Sequence, residues 1–272
     1  MNFKLLINKK LVRSCLIIIL ASMFISYFYF DSLSSYNSFF DISRFNMREL
    51  FLYAYGNLDP GSVKLLFPLI LFLYPLLLLV YYLGEDMQNF YRTNAKYVFI
   101  RTQNRTSWSI MNLIRLFVNT ILFYLFQDFG TLLVGLIKGL QISLTDVQAG
   151  WIIFATQVVS SFFLLLVIHL FALFIKVTYS YVIVFSLCFF SFASTGMIYE
   201  YAPDFFPFVK WLPTSQFVLG WHDLSKIQDF QSKMGIPCIQ GFHPAFSFIY
   251  LLIGILILSV AFIVRTNQMD IY

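Results

Sequence analysis

Apolar and polar residues alternate along this chain in long blocks. Apolar runs cover 11–30, 65–83, 113–137, 151–175, 179–198 and 246–264. Each is close to the ~20 residues that a helix needs to cross a bilayer. Hydrocarbon offers no hydrogen bonds, so a run of this kind must satisfy its own backbone as a helix. The pattern predicts an all-α polytopic membrane protein with six transmembrane helices in a single domain over 1–272. Pro68 and Pro75 fall in the second block, which membrane helices tolerate. The first block follows Lys4, Lys9, Lys10 and Arg13 and ends in Tyr27-Phe28-Tyr29-Phe30-Asp31. It has no small-residue cleavage site, so it predicts a retained first helix.

The polar separators carry the orientation. The stretch 84–112 holds Arg92, Lys96, Arg101 and Arg105, with Arg115 just beyond, against Glu85 and Asp86. Positive charge is kept on the cytosolic side, so this loop, the basic N-terminal segment, Lys176 and the C-terminal segment face the cytosol. Those segments hold eleven Lys and Arg; the other side holds seven. Within the stretch, Met87, Phe90, Tyr91, Ala95 and Val98 recur at helical spacing, with Glu85, Arg92 and Lys96 on the other face. That predicts a short amphipathic helix opened by Glu85 and Asp86, where the helix dipole favours acids. Thr102-Gln103-Asn104 then interrupts it, and Thr106 or Ser107 caps the third span. Such a helix is either an interfacial anchor with snorkelling arginines or a docking element for a cytosolic partner.

Other separators are shorter or less regular. Residues 31–64 are polar and mixed in charge, with a turn at Asp59-Pro60-Gly61. Lys138 to Gly150 forms a short outer loop, and Lys176-Val177-Thr178 leaves room only for a tight hairpin. Residues 199–222 are dense in Phe and Trp but broken by Pro203, Pro207 and Pro213. They are too apolar for a solvated loop and too interrupted to span, which predicts a broken re-entrant outer segment between helices 5 and 6.

Polar residues inside the blocks are few. Gln127 and Asp128 lie in the third. A carboxylate at membrane depth is costly and faces a partner helix or water. The pair is either a polar point on a substrate path or an outer rim where an overlong helix reaches water. His169 in the fourth block reads as hydrogen-bonded packing.

Composition agrees with a membrane chain. Hydrophobic residues make up 60% and charged residues 11%, against about half and a quarter in soluble domains. The net charge of +5 is split among short loops, so no continuous basic face for nucleic acid forms. Cys15, Cys188 and Cys238 have no spacing that argues for a disulfide or a metal. Gly130-x4-Gly135 is followed by Leu136 rather than Lys-Ser/Thr and lies in an apolar helix, so it is no phosphate-binding loop. No HExxH or GxSxG occurs. Glu200, Asp204, His222, Asp223 and His243 crowd the last outer loop at spacings that match no standard metal site.

Several features together resemble the ABC-2 (type V) membrane permeases, particularly small exporter permeases of Gram-positive bacteria encoded beside a separate ATPase. These are the basic N-terminus, six spans, and the acidic then Arg-rich segment after the second span. Arg101, Arg105 and Trp108 lead into the third span, and Leu212-Pro213 lies in the broken outer segment. The resemblance covers most of the chain and rests on layout. Only about ten residues precede the first span, so a connecting helix there is minimal, unlike that of polysaccharide exporters.

The resemblance implies the permease subunit of an ATP-driven exporter in a bacterial plasma membrane, with both ends cytoplasmic. Residues 85–105 would be the coupling helix, and Met87, Phe90, Tyr91, Arg92, Arg101 and Arg105 would contact an ATP-binding cassette ATPase. Gln127 and Asp128 would lie on the substrate path. The chain would hold no cofactor or ATPase motif of its own, with ATP and magnesium entering through the partner. A second permease chain and membrane lipid complete the implied partners, and the cargo would be a peptide, bacteriocin or amphiphile. The alternatives are a membrane immunity protein without an ATPase, and a membrane-embedded enzyme that uses the outer acids and histidines.

Overall fold

A computed structural model describes residues 8–35, 46–61, 66–89, 105–223 and 237–268. Among them there is no strand. Six helices are long and apolar enough to cross a membrane. These are α2 (Cys15–Ser35), α4 (Leu66–Asn89), α5 (Arg105–Ile137), α6 (Leu144–Ala172), α7 (Val177–Tyr201) and α8 (Pro244–Gln268). The chain is an all-α multi-pass membrane protein.

The first apolar block is divided. α1 (Lys9–Arg13) is a separate short helix, capped by the Asn8 side chain, which accepts from the Lys10 and Leu11 amides. Ser14 breaks it from α2. The Asn8 amide donates to Asn119 Oδ1 of α5 at 2.8 Å, and its side chain reaches the Tyr82 carbonyl of α4.

α5 has 33 residues and is roughly 50 Å long, against ~30 Å of hydrocarbon. It starts at Arg105, ahead of the expected caps at Thr106 and Ser107. At that end Arg105 Nη1 donates to the Asn267 carbonyl, and Asn267 Nδ2 donates to Thr106 Oγ1. The base of α5 is therefore braced to α8. α4 departs from expectation in a similar way. It runs without a break through Gly84 to Asn89, so Glu85 and Asp86 stand near the end of the second span and do not open a new helix. Gly84 packs against Tyr181 of α7, where any Cβ would collide, so its lack of a side chain serves a helix contact and not a turn.

α6 is the most enclosed span and touches α5, α7 and α8. α2 lies chiefly along α5, and their close approach depends on Gly130. A Cβ there would strike Ser22 Oγ and come within 2.6 Å of the Ile19 carbonyl. Small residues permit such backbone approach in membranes. This is the physical role of the glycine spacing at 130 and 135, since Gly135 similarly makes room for Met47.

Two segments dip into the bundle at the end opposite Asn8 and Arg105. One is the broken outer segment expected from its prolines. It forms three successive 3₁₀ pieces, Pro203–Trp211, Pro213–Phe217 and Leu219–Trp221, and Trp221 is fully buried. The other is a finding of the structure. In the stretch that reads as a polar loop, α3 (Met47–Phe51) continues into a single π-helical turn over Leu52–Gly56. Met47, Leu50, Phe51, Ala54 and Tyr55 are buried there against α2, α5 and α6.

Candidate functional site

α5 presents Leu125, Asp128 and Leu132 along one stripe, at i, i+3 and i+7. α6 answers with Val147, Gly150, Trp151 and Phe154. α3 closes one side with Met47 and Phe51, one helical turn apart. Together with Ile142 and Asp146 these residues enclose a cavity of about 250 Å³, open on one side and lined almost wholly by apolar atoms. Leu125, Val147 and Trp151 are all exposed at its rim. Gly150 widens it, since a Cβ added there would meet nothing within 4 Å.

Two carboxylates reach this cavity in different states. Asp146 is buried and occupies the first turn of α6. Its Oδ2 accepts from the Ser143 amide at 2.8 Å and from Ser143 Oγ at 2.5 Å, while its own amide donates to Ser143 Oγ. Its Oδ1 has no hydrogen bond but lies 3.8 Å from Arg48 Nε of α3. Cap and ion pair together compensate this charge. Asp128 is not compensated in this way: its Oδ1 is closed off from solvent with no hydrogen-bond partner among the described residues.

Gln127 and Asp128 do not act as a pair. Adjacent helical residues point about 100° apart, and Gln127 turns inward instead. It lines a space of about 10 Å³ with Ser22, Tyr55 and Tyr74, about the size of one water. Around it lies a chain of hydroxyls. Ser26 Oγ is 3.0 Å from Thr131 Oγ1, which is 3.3 Å from the Tyr55 hydroxyl. Burial raises the Tyr55 phenol above its usual range, and the nearby Asp128 adds to this.

A second polar cluster is buried in the outer segment. Gln216 Nε2 donates to the carbonyls of Lys210 and Leu212, which fixes its amide so that Oε1 must accept. Ser247 Oγ lies 2.5 Å from that oxygen and 2.6 Å from His222 Nε2. His222 Nδ1 faces the Val218 carbonyl at 3.0 Å, and the ring stacks on Phe242 at 3.8 Å. With His222 neutral, the single Ser247 proton must serve two acceptors. Burial nevertheless pushes His222 down to about 4, against the upward pull of the Val218 and Leu219 carbonyls. His243 Nδ1 is 3.1 Å from the Asp223 carbonyl. Among the described residues no group of three His, Cys, Asp or Glu could hold a metal ion.

Of the expected partner-contact residues, Met87 falls near the end of α4 and Arg105 is tied to Asn267 of α8. Phe90, Tyr91, Arg92 and Arg101 lie outside the described residues. His169 is buried in α6, as a packing role requires.

Sequence reasoning passed over Arg48, Met47 and Phe51. A signal was present: Asn46-x-x-Glu49 is a capping pair, and Glu49 Oε2 does accept from the Asn46 amide at 2.9 Å. Comparisons with protein-family models, curated proteins and solved structures find no match.

Proposed function

We propose that this chain is the membrane-spanning subunit of an ATP-driven exporter, working with a second permease chain and with separate ATP-binding subunits. The observation that carries the reading is the pair of helices flanking residues 90–104. α4 continues through Glu85 and Asp86 to Asn89, and α5 starts at Arg105, well before its apolar stretch at 113. Both helices extend past the apolar belt at the end that also carries Lys9, Lys10, Lys176 and Arg265. A soluble partner pressing on 90–104 would push directly on two spans, one of them braced to α8 through Asn267. The basic charge at this end supports a cytosolic orientation for it, the side on which an ATPase would dock.

The coupling surface would be Met87, Phe90, Tyr91 and Arg92, with Arg101 and Arg105 behind it. Replacing Phe90 and Tyr91 by Asp would put unpaired charge into that contact. Membrane yield should hold, since the spans are untouched, while co-purification of the ATPase and transport should be lost. Full ATPase recovery and full transport in this double variant would remove the proposal and leave residues 85–105 as an interfacial anchor.

A further inference from the structure

We propose that the cavity between α5 and α6 binds an amphiphilic organic cation, a compact apolar body carrying one ammonium group. Its walls are apolar, with the aromatic side chains of Phe51, Trp151 and Phe154 among them. Trp151 and Phe154 pack edge to face, with ring centroids 5.6 Å apart. Aromatic faces attract ammonium groups, most strongly when water is excluded. The sign and number of the charge follow from the two carboxylates. Asp146 already has the Ser143 cap and Arg48, whereas Asp128 Oδ1 has no hydrogen bond among the described residues. An anion would meet two carboxylates. A neutral guest would leave the half-buried Asp128 carboxylate without a counter-charge, which is costly at membrane depth. One cation answers one carboxylate.

The entry route also fits an amphiphile. Leu125, Val147 and Trp151 edge the mouth and are 45%, 44% and 62% exposed, so the cavity opens on the lipid-facing periphery. Asp128 lies nine positions before the end of α5, roughly 14 Å in from that end. A guest dissolved in the outer part of the bilayer reaches the carboxylate without crossing the bundle. The inference deepens the exporter reading by naming a class of cargo, and binding itself is measurable without any ATPase.

The test uses the full chain in phosphatidylglycerol nanodiscs and equilibrium dialysis of radiolabelled phenyltrimethylammonium. Saturable binding is expected, at least tenfold weaker in D128N and retained within a few-fold in D128E. G150W should abolish it by filling the cavity, and nothing stands where its Cβ would go. It therefore decides the matter even if D128N folds poorly. tert-Butylbenzene, the uncharged molecule of the same shape, should not displace the cation at equal membrane concentration. Unchanged binding in D128N or in G150W overturns the proposal, as does equal competition by tert-butylbenzene. Displacement by added phosphatidylcholine would assign the cavity to a lipid headgroup and also overturn it. The Phe90/Tyr91 double variant should bind the cation normally, so failure of ATPase coupling and failure of the site are separate results.

Discussion

The indole N–H of Trp221 donates to the carbonyl of Leu58 at 2.7 Å, across 163 positions of sequence. Around this bond the two dipping segments pack directly on each other. A Cβ on Gly220 would come within 2.8 Å of Asn57 Oδ1, and one on Gly56 would lie 3.5 Å from Leu219 Cβ. Each segment is irregular backbone at a depth where lipid cannot satisfy it. Each is stable because the other covers it.

Trp221→Phe should therefore cost about 1–3 kcal/mol, chiefly because it leaves the Leu58 carbonyl buried without a donor. Thermal unfolding in detergent should show the loss. Proteolysis at residues 57–61 should quicken in parallel, because that loop is held from one side by this bond.

Gly130→Ala and Gly150→Ala should have opposite signs. The first places a methyl within 2.6 Å of the Ile19 carbonyl, which as backbone cannot rotate away, and should cost about 1–3 kcal/mol. The second adds a methyl to open space on a helix and should be neutral or stabilising by up to about 1 kcal/mol. Unfolding of the two variants side by side checks both.

His222 gives a pH dependence with a defined sign. Its folded value is depressed to about 4 from 6.5, mainly by burial, with a smaller contribution from His243. The unfolded chain binds the proton more readily, so stability is complete above pH 6.5 and is lost as pH falls from 6.5 towards 4. The loss is on the order of 3 kcal/mol at most. His222→Gln should flatten the stability profile over that window. A profile identical to wild type would place the acid sensitivity elsewhere.

Asp146→Ala should weaken the protein by about 1–2 kcal/mol through loss of the acceptor for the Ser143 amide and hydroxyl in the α6 capping box, and further by leaving Arg48 without its partner. Asp128→Asn removes no hydrogen bond seen among the described residues and takes away a charge without a counter-charge, so unfolding should be unchanged or shifted towards greater stability. The contrast separates a carboxylate that holds the fold from one that faces a cavity.

The long elements were legible because the bilayer imposes one simple rule, about twenty apolar residues per span, and α2, α4, α5, α6, α7 and α8 all obey it. The broken outer segment was legible for the same reason, since prolines among Phe and Trp leave few other structures at that depth. Boundaries were less so. Nothing in Leu11–Arg13 marks it off from the span that follows, and only the bonds of Asn8 to Asn119 and Tyr82 detach it. The second span was expected to end at 83, and the contact of Gly84 with Tyr181 could not be seen from the sequence. Asp128 was marked by its cost, but not the cavity it faces. Two of its lining residues, Met47 and Phe51, come from α3, whose apolar stripe is short and whose polar neighbours masked it.

The burial of residues 47–58 also has a consequence for how the protein is made. Apart from α2, the surroundings of that segment, among them Thr131, Asp146 and Trp221, are synthesised after it. When it first crosses the membrane only α2 is there to meet it, and it must stay incompletely covered on the far side until α5, α6 and the 3₁₀ pieces arrive. A chain stopped at Tyr201 should therefore insert its helices but leave residues 47–58 open to protease added from that side. Extending the chain through Trp221 should close it. Assembly of this bundle would then end near its beginning, with the first loop among the last parts to settle.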